Sequence, residues 1–160
     1  MVDAYDPVFD EVDAAIIKHF ECSQIPNNSS GKFSSDDLTI YYMPHCPLGL
    51  YGNLLMSNWE PTKLNNTVIV GNSFSNYDAR RSSSTRDKQS SEEFVFRANN
   101  YLLELNLTFA DEAFANAFSD QFLHVWKELP GPSSDFWQRE GATESRSLEV
   151  INSALQQLTL

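Results

Sequence analysis

His45 and Cys46 stand side by side in the run Met43-Pro44-His45-Cys46-Pro47, and both side chains are capable of chemistry. An imidazole transfers protons or ligates a metal near neutral pH, and a thiolate attacks electrophiles or holds haem iron. The structural alternative is a turn shaped by Pro44 and Pro47, with His45 hydrogen-bonded locally and Cys46 buried as a small apolar group. A second turn, Gly71-Asn72-Ser73-Phe74, pairs a glycine that permits close backbone approach with an amide and a hydroxyl suited to an anion or a sugar-like hydroxyl. Its alternative is a helix N-cap by Asn72 or Ser73. Neither a glycine-rich dinucleotide fingerprint nor a P-loop is present, so a nucleotide enzyme lacks its usual signature. His124, next to Val125 and Trp126, reads as a structural histidine. Arg80-Arg81-Ser82-Ser83 has the form of a basic-directed kinase site, against the alternative of a solvated loop.

Such turns need elements to position them. Asp6-Pro7 followed by Val8, Phe9, Val12, Ile16 and Phe20 reads as a helix capped by Asp6 with one face in the core, and Val2-Asp3-Ala4-Tyr5 as the remnant of a strand feeding it. Leu38 to Met43 is β-branched and aromatic, reads as a strand, and is stopped by Pro44. Leu48 to Trp59 has helical apolar spacing. Thr67-Val68-Ile69-Val70 is short and apolar throughout, the mark of a strand covered on both faces. A polar insert rich in Ser and Arg runs from Ser75 to Ser91. Phe94, Phe96, Tyr101, Leu102 and Leu105 suggest a third helix, Phe122 to Trp126 a strand, and Leu148, Ile151, Leu155 and Leu158 one face of a terminal helix. Alternation of this kind implies an α/β fold with an open, mostly parallel sheet and crossover helices, Rossmann-like in outline. Ligands in such sheets bind outside the carboxyl ends of the strands, where both turns fall.

At 160 residues the chain suits a single domain, able to bury roughly 70% of the surface its unfolded form exposes. A formal net charge of −11 argues against a nucleic-acid surface, because phosphate binding depends on clustered Lys and Arg. The acidic start resembles no signal peptide, and no stretch reaches the about 18 apolar residues that span a membrane. These features imply a soluble intracellular protein, cytoplasmic or nuclear, in which Cys22 and Cys46 are free thiols.

Tyr5-Asp6-Pro7-Val8-Phe9, Met43-Pro44-His45-Cys46-Pro47, Leu50-Tyr51, Asn53-Leu54-Leu55, Asn58-Trp59 and Gly71-Asn72-Ser73-Phe74 together resemble the Sensitivity to Red Light Reduced domain family, in the family's own order. The resemblance implies a regulatory protein tied to circadian and light-signalling input in plants and to haem metabolism in animals. It makes His45, Cys46, Asn72 and Ser73 the first candidates for a shared small-ligand site, with Asp6, Tyr51, Asn53 and Asn58 behind them. Cys46-Pro47, read with the haem link, makes Cys46 a candidate haem ligand. The alternative is an enzyme of unknown reaction using His45 as acid/base or Cys46 as nucleophile. The family's domain begins upstream with a glycine-containing strand and helix, so the resemblance also implies that the first strand–helix unit is missing. A free sheet edge, self-association or a protein partner is the expected consequence.

Overall fold

The computed structural model describes residues 1–81, 90–108 and 118–138, together with Phe114 and Asn116. The expected terminal helix and residues 82–89 of the Ser/Arg insert, Ser82 and Ser83 among them, lie outside these residues. The first elements are β1 (Asp3–Ala4), α1 (Glu11–His19) and β2 (Ser23–Gln24), with β1 parallel to β2. Asp6 does not cap α1. Its carboxylate accepts the amide of Val8 in a turn, and the helix starts four residues later, where Asp10 and Asp13 form a reciprocal capping box. The stripe of α1 expected to face the core is uncovered, with Val12 66% and Phe20 70% exposed.

The main sheet contains β3 (Thr39–Met43), β4 (Thr67–Asn72), β5 (Leu102–Asn106) and β6 (Gln121–Trp126) in the order β3-β4-β6-β5. β3 and β4 are parallel, whereas β6 runs antiparallel to both of its neighbours. Three of the four strands therefore share one direction, but the reversed β6 lies between two of them and makes the sheet mixed. The strand expected at Phe122–Trp126 is present. The helix expected to include Tyr101, Leu102 and Leu105 is shorter: α5 covers Glu92–Asn99, and the chain turns at Tyr101 into β5. The alternation of Leu103 and Leu105 with Glu104 is a strand's period of two.

One face of the sheet carries the core. Here α2 (Leu48–Ser57), α3 (Pro61–Asn65) and α5 bring Tyr51, Leu54, Leu55, Leu64 and Val95 against Ile69 and Leu102. Trp59 closes one end, 2% exposed, edge-on to Phe94 and tilted against Phe136 of a 3-10 turn at Asp135–Trp137. Arg97 lies over the same rings and donates to the carbonyls of Phe136 and Gln138. The bulky aromatics at Trp59 and Phe94 are thus covered, and Phe96 packs beneath the Arg81 guanidinium.

On the opposite face the outer strands are exposed. Ile40 and Tyr42 of β3 are 67% and 57% exposed, Leu103 and Leu105 of β5 are 42% and 45% exposed, and Val68 and Val70 lie in register between them. The expectation that β4 is covered on both faces fails for this reason: its odd-numbered residues reach the core and its valines do not. Among the described residues no strand pairs with the outer edge of β3, which has no lysine, proline or bulge of the kind that usually guards an edge strand.

Candidate functional site

Because β3 and β4 are parallel and Met43 is paired with Gly71, the two strands end side by side and their turns must meet. Tyr51, on the first turns of α2, locks them. Its hydroxyl donates to the Met43 carbonyl at 2.5 Å and accepts the Asn72 amide at 3.0 Å. Burial pushes this phenol far above its usual range. Gly71 is required here, since a Cβ would lie 2.7 Å from both the Tyr51 ring and its hydroxyl. Tyr51 therefore acts as a clamp behind the turns. Tyr51→Phe strands a carbonyl and an amide in the interior and is expected to lower stability by about 1 kcal/mol, read from the midpoint of urea unfolding.

In front of the clamp, Asn72 organises the cluster. Its Oδ1 accepts the backbone N–H of His45 at 2.9 Å and the Gln121 amide at 3.1 Å. Its Nδ2 donates to the Cys46 carbonyl and to the Tyr77 hydroxyl, and that hydroxyl donates to the same carbonyl. His45 adopts a left-handed backbone, φ 54°, uncommon for a residue with a Cβ. Its exposed ring reaches Gln121, with Nδ1 3.5 Å from the amide nitrogen. Gln121 is itself fully buried, and its Oε1 has no hydrogen-bond partner among the described residues.

Ser73 points the other way. Its hydroxyl caps α4 (Phe74–Ala79) through the Asn76 amide and donates to Glu104. Glu104 also accepts the amides of Phe74 and Ser75. The amides at this turn that could have bound an external anion are thus occupied by the protein's own carboxylate. Burial raises the pKa of Glu104, but hydrogen bonds from His124, Ser75 and Phe74 outweigh it and leave it at about 2. His124 is buried, with Nε2 3.0 Å from Glu104 and Nδ1 3.3 Å from the Ile69 carbonyl, and stacks on Phe74. The structural reading of His124 holds.

Of the candidates, His45, Cys46 and Asn72 come together directly, with Tyr51 behind them, and Asp6 lies near enough for its charge to act on Cys46. Asn53 and Asn58 do not join them. Asn53 donates to the Ser30 carbonyl, and buried Asn58 donates to Phe33 and Leu54, so both fasten the loop before β3 onto α2. Burial, reinforced by Asp6, pushes the Cys46 thiol up. This is the reverse of the shift that activates a cysteine nucleophile. Among the described residues no group of three or more His, Cys, Asp or Glu side chains is placed to hold a metal ion. Sequence reasoning missed Gln121, Glu104 and Tyr77. Glu104 had a signal, a lone acid on the inward phase of a leucine-rich strand; Gln121 and Tyr77 had none.

Fold and turns define an α/β domain with a mixed sheet and a polar cluster where two parallel strands end. The SRR1 domain matches residues 1–125, and the chain belongs to that family. It is 30% identical over 150 residues to an SRR1-like protein of Drosophila melanogaster, covering 92% of this chain and 51% of that protein. An SRR1-like protein of Mus musculus is 38% identical over 77 residues, 48% of this chain and 31% of its own. Protein Sensitivity to Red Light Reduced 1 of Arabidopsis thaliana is 31% identical over 77 residues, 48% of this chain and 28% of its own. The chain thus spans about half or less of the length of these relatives. No solved structure matches it. No helix among the described residues is long and apolar enough to cross a membrane.

Proposed function

We propose that this chain is a regulatory SRR1 domain that binds a small molecule at the paired strand-end turns. The observation that carries the reading is Gln121 Oε1, a buried acceptor without a partner among the described residues, on a side chain whose Nε2 lies 3.5 Å from His45 Nδ1. A buried polar atom left unsatisfied costs about 1–3 kcal/mol, so its retention beside a left-handed His45 calls for a compensating role. Bound ligand would bias the position of the turns, and the turns are joined through Asn72 and Tyr51 to β3, β4 and α2. The name of the Arabidopsis relative supports a role in the response to red light. Clock input and the regulation of haem synthesis, in the cytoplasm or nucleus, are the settings proposed for that switch. Native mass spectrometry of the protein purified from its own cells tests the reading. A retained small molecule, released on denaturation and lost with Asn72→Ala, is expected; the bare chain mass in both proteins would overturn it.

The uncovered sheet face favours a second reading, a module that docks onto other protein. A strand along β3 followed by an apolar helix would cover Ile40, Tyr42, Leu103 and Leu105 together. A further segment or a partner would serve equally. The isolated chain is therefore expected to associate as its concentration rises, and Ile40→Lys with Leu103→Lys to reduce that association. Sedimentation velocity provides the check, and a concentration-independent monomer would exclude this surface.

A further inference from the structure

The residue order of β3 suits the strand to pair with itself, which gives the docking reading above, on which this rests, a particular partner. Thr39 donates its amide to the Asn66 carbonyl just before β4, and the Met43 carbonyl shares the Tyr51 hydroxyl with the Asn72 amide of β4. The odd-numbered residues of β3 therefore turn their backbone groups toward β4. Because backbone direction alternates along a strand, the N–H and C=O groups of Ile40 and Tyr42 point to the outer edge, where no described strand takes them. Their side chains lie on the exposed face. In an antiparallel pair of two copies with a two-fold axis at Tyr41, Ile40 stands opposite the partner's Tyr42, and Tyr42 opposite the partner's Ile40. Both are positions that exchange N–H and C=O, so every outward group of the two residues is satisfied. Sliding the register one way brings in Pro44, which has no N–H, and the other way Leu38, which precedes the strand. On the exposed face each pair sets a β-branched side chain against an aromatic one, a favourable cross-strand combination. Charge agrees with this direction. Asp36 and Asp37, just before β3, fall toward the far end of the partner strand, whereas parallel pairing would set the acids of the two copies side by side. We propose that two copies of this chain join through β3, antiparallel about Tyr41, and merge their four-stranded sheets into one.

The test exchanges charge across the paired positions, both of which are exposed at 67% and 57% and so tolerate replacement. Ile40→Lys with Tyr42→Lys sets lysine against lysine in both pairs. Ile40→Lys with Tyr42→Glu sets lysine against glutamate in both. Sedimentation equilibrium at fixed ionic strength gives the dimer dissociation constant of the full chain and of each variant, with circular dichroism as the check on folding. The unaltered chain is expected to form dimers and nothing larger. The lysine–glutamate variant is expected to bind itself about 30-fold more tightly than the lysine–lysine variant, the effect of two opposed cross-strand pairs. Should either variant not fold, amide exchange in the unaltered chain decides: the Ile40 and Tyr42 amides are expected to gain protection as dimer forms, and unchanged exchange there would overturn the proposal. Equal weakening in both variants, or association that neither weakens, would overturn it as well while leaving the docking reading intact. A chain that stays monomeric at every concentration would overturn both.

Discussion

Replacing Glu104 by alanine is expected to cost the fold about 3–5 kcal/mol, because it removes one member of a buried pair and leaves the rest of the network in place. His124 Nε2 and the amides of Phe74 and Ser75 all point at this carboxylate. None of them has an evident substitute in the interior. The same carboxylate makes stability depend on pH with a definite sign. Its pKa in the fold is about 2, against an ordinary value of 4.5. The folded state therefore binds the proton less readily than the unfolded one. The contribution is complete above 4.5 and is lost as the pH falls from there through about 2. Urea unfolding across that acid range is expected to show the decline in the native protein and a flatter profile in Glu104→Gln. A wild-type profile with no slope in the window would remove Glu104 from this role.

A single methyl group at Gly52 is expected to lower stability by about 3 kcal/mol, the upper end of overpacking effects, since backbone lies on the far side of the gap. A Cβ there would collide with the Ser91 carbonyl and come 2.9 Å from the Glu92 amide nitrogen. Neither atom can rotate away as a side-chain tip would. Relief requires α2 and α5 to separate, which unpacks Leu55, Val95 and Ala98 from the core. Equilibrium denaturation of Gly52→Ala measures the loss. An unchanged midpoint would mean that the helices do not approach so closely. Gly49, where a Cβ would meet nothing within 4 Å, is the control on the same helix.

The meeting of the turns was legible in the chain itself. Pro44 and the β-branched run before it mark the end of β3, the apolar stretch ending at Gly71 marks β4, and a helix between them forces a parallel crossover. His45 and Asn72 had to be neighbours once both strands were recognised, and they are 2.9 Å apart through backbone and side chain. β5 was read as helix because Tyr101, Leu102 and Leu105 also satisfy helical spacing over so short a run. In the structure, pairing with β6 overrides it.

Local periodicity, turn residues and capping by themselves determined most elements here, because each acts within a few residues. What lies opposite what was decided only by the tertiary structure. The order β3-β4-β6-β5 reverses one strand and places Gln121 against Asn72 and Glu104 against His124, pairs 49 and 20 residues apart. The same order decides that α2 and α5 cover one face while Ile40, Tyr42 and the stripe of α1 remain exposed. An apolar side chain records a preference for burial but not the identity of the surface that covers it. That identity depends on long-range packing, and so does the buried acceptor of Gln121.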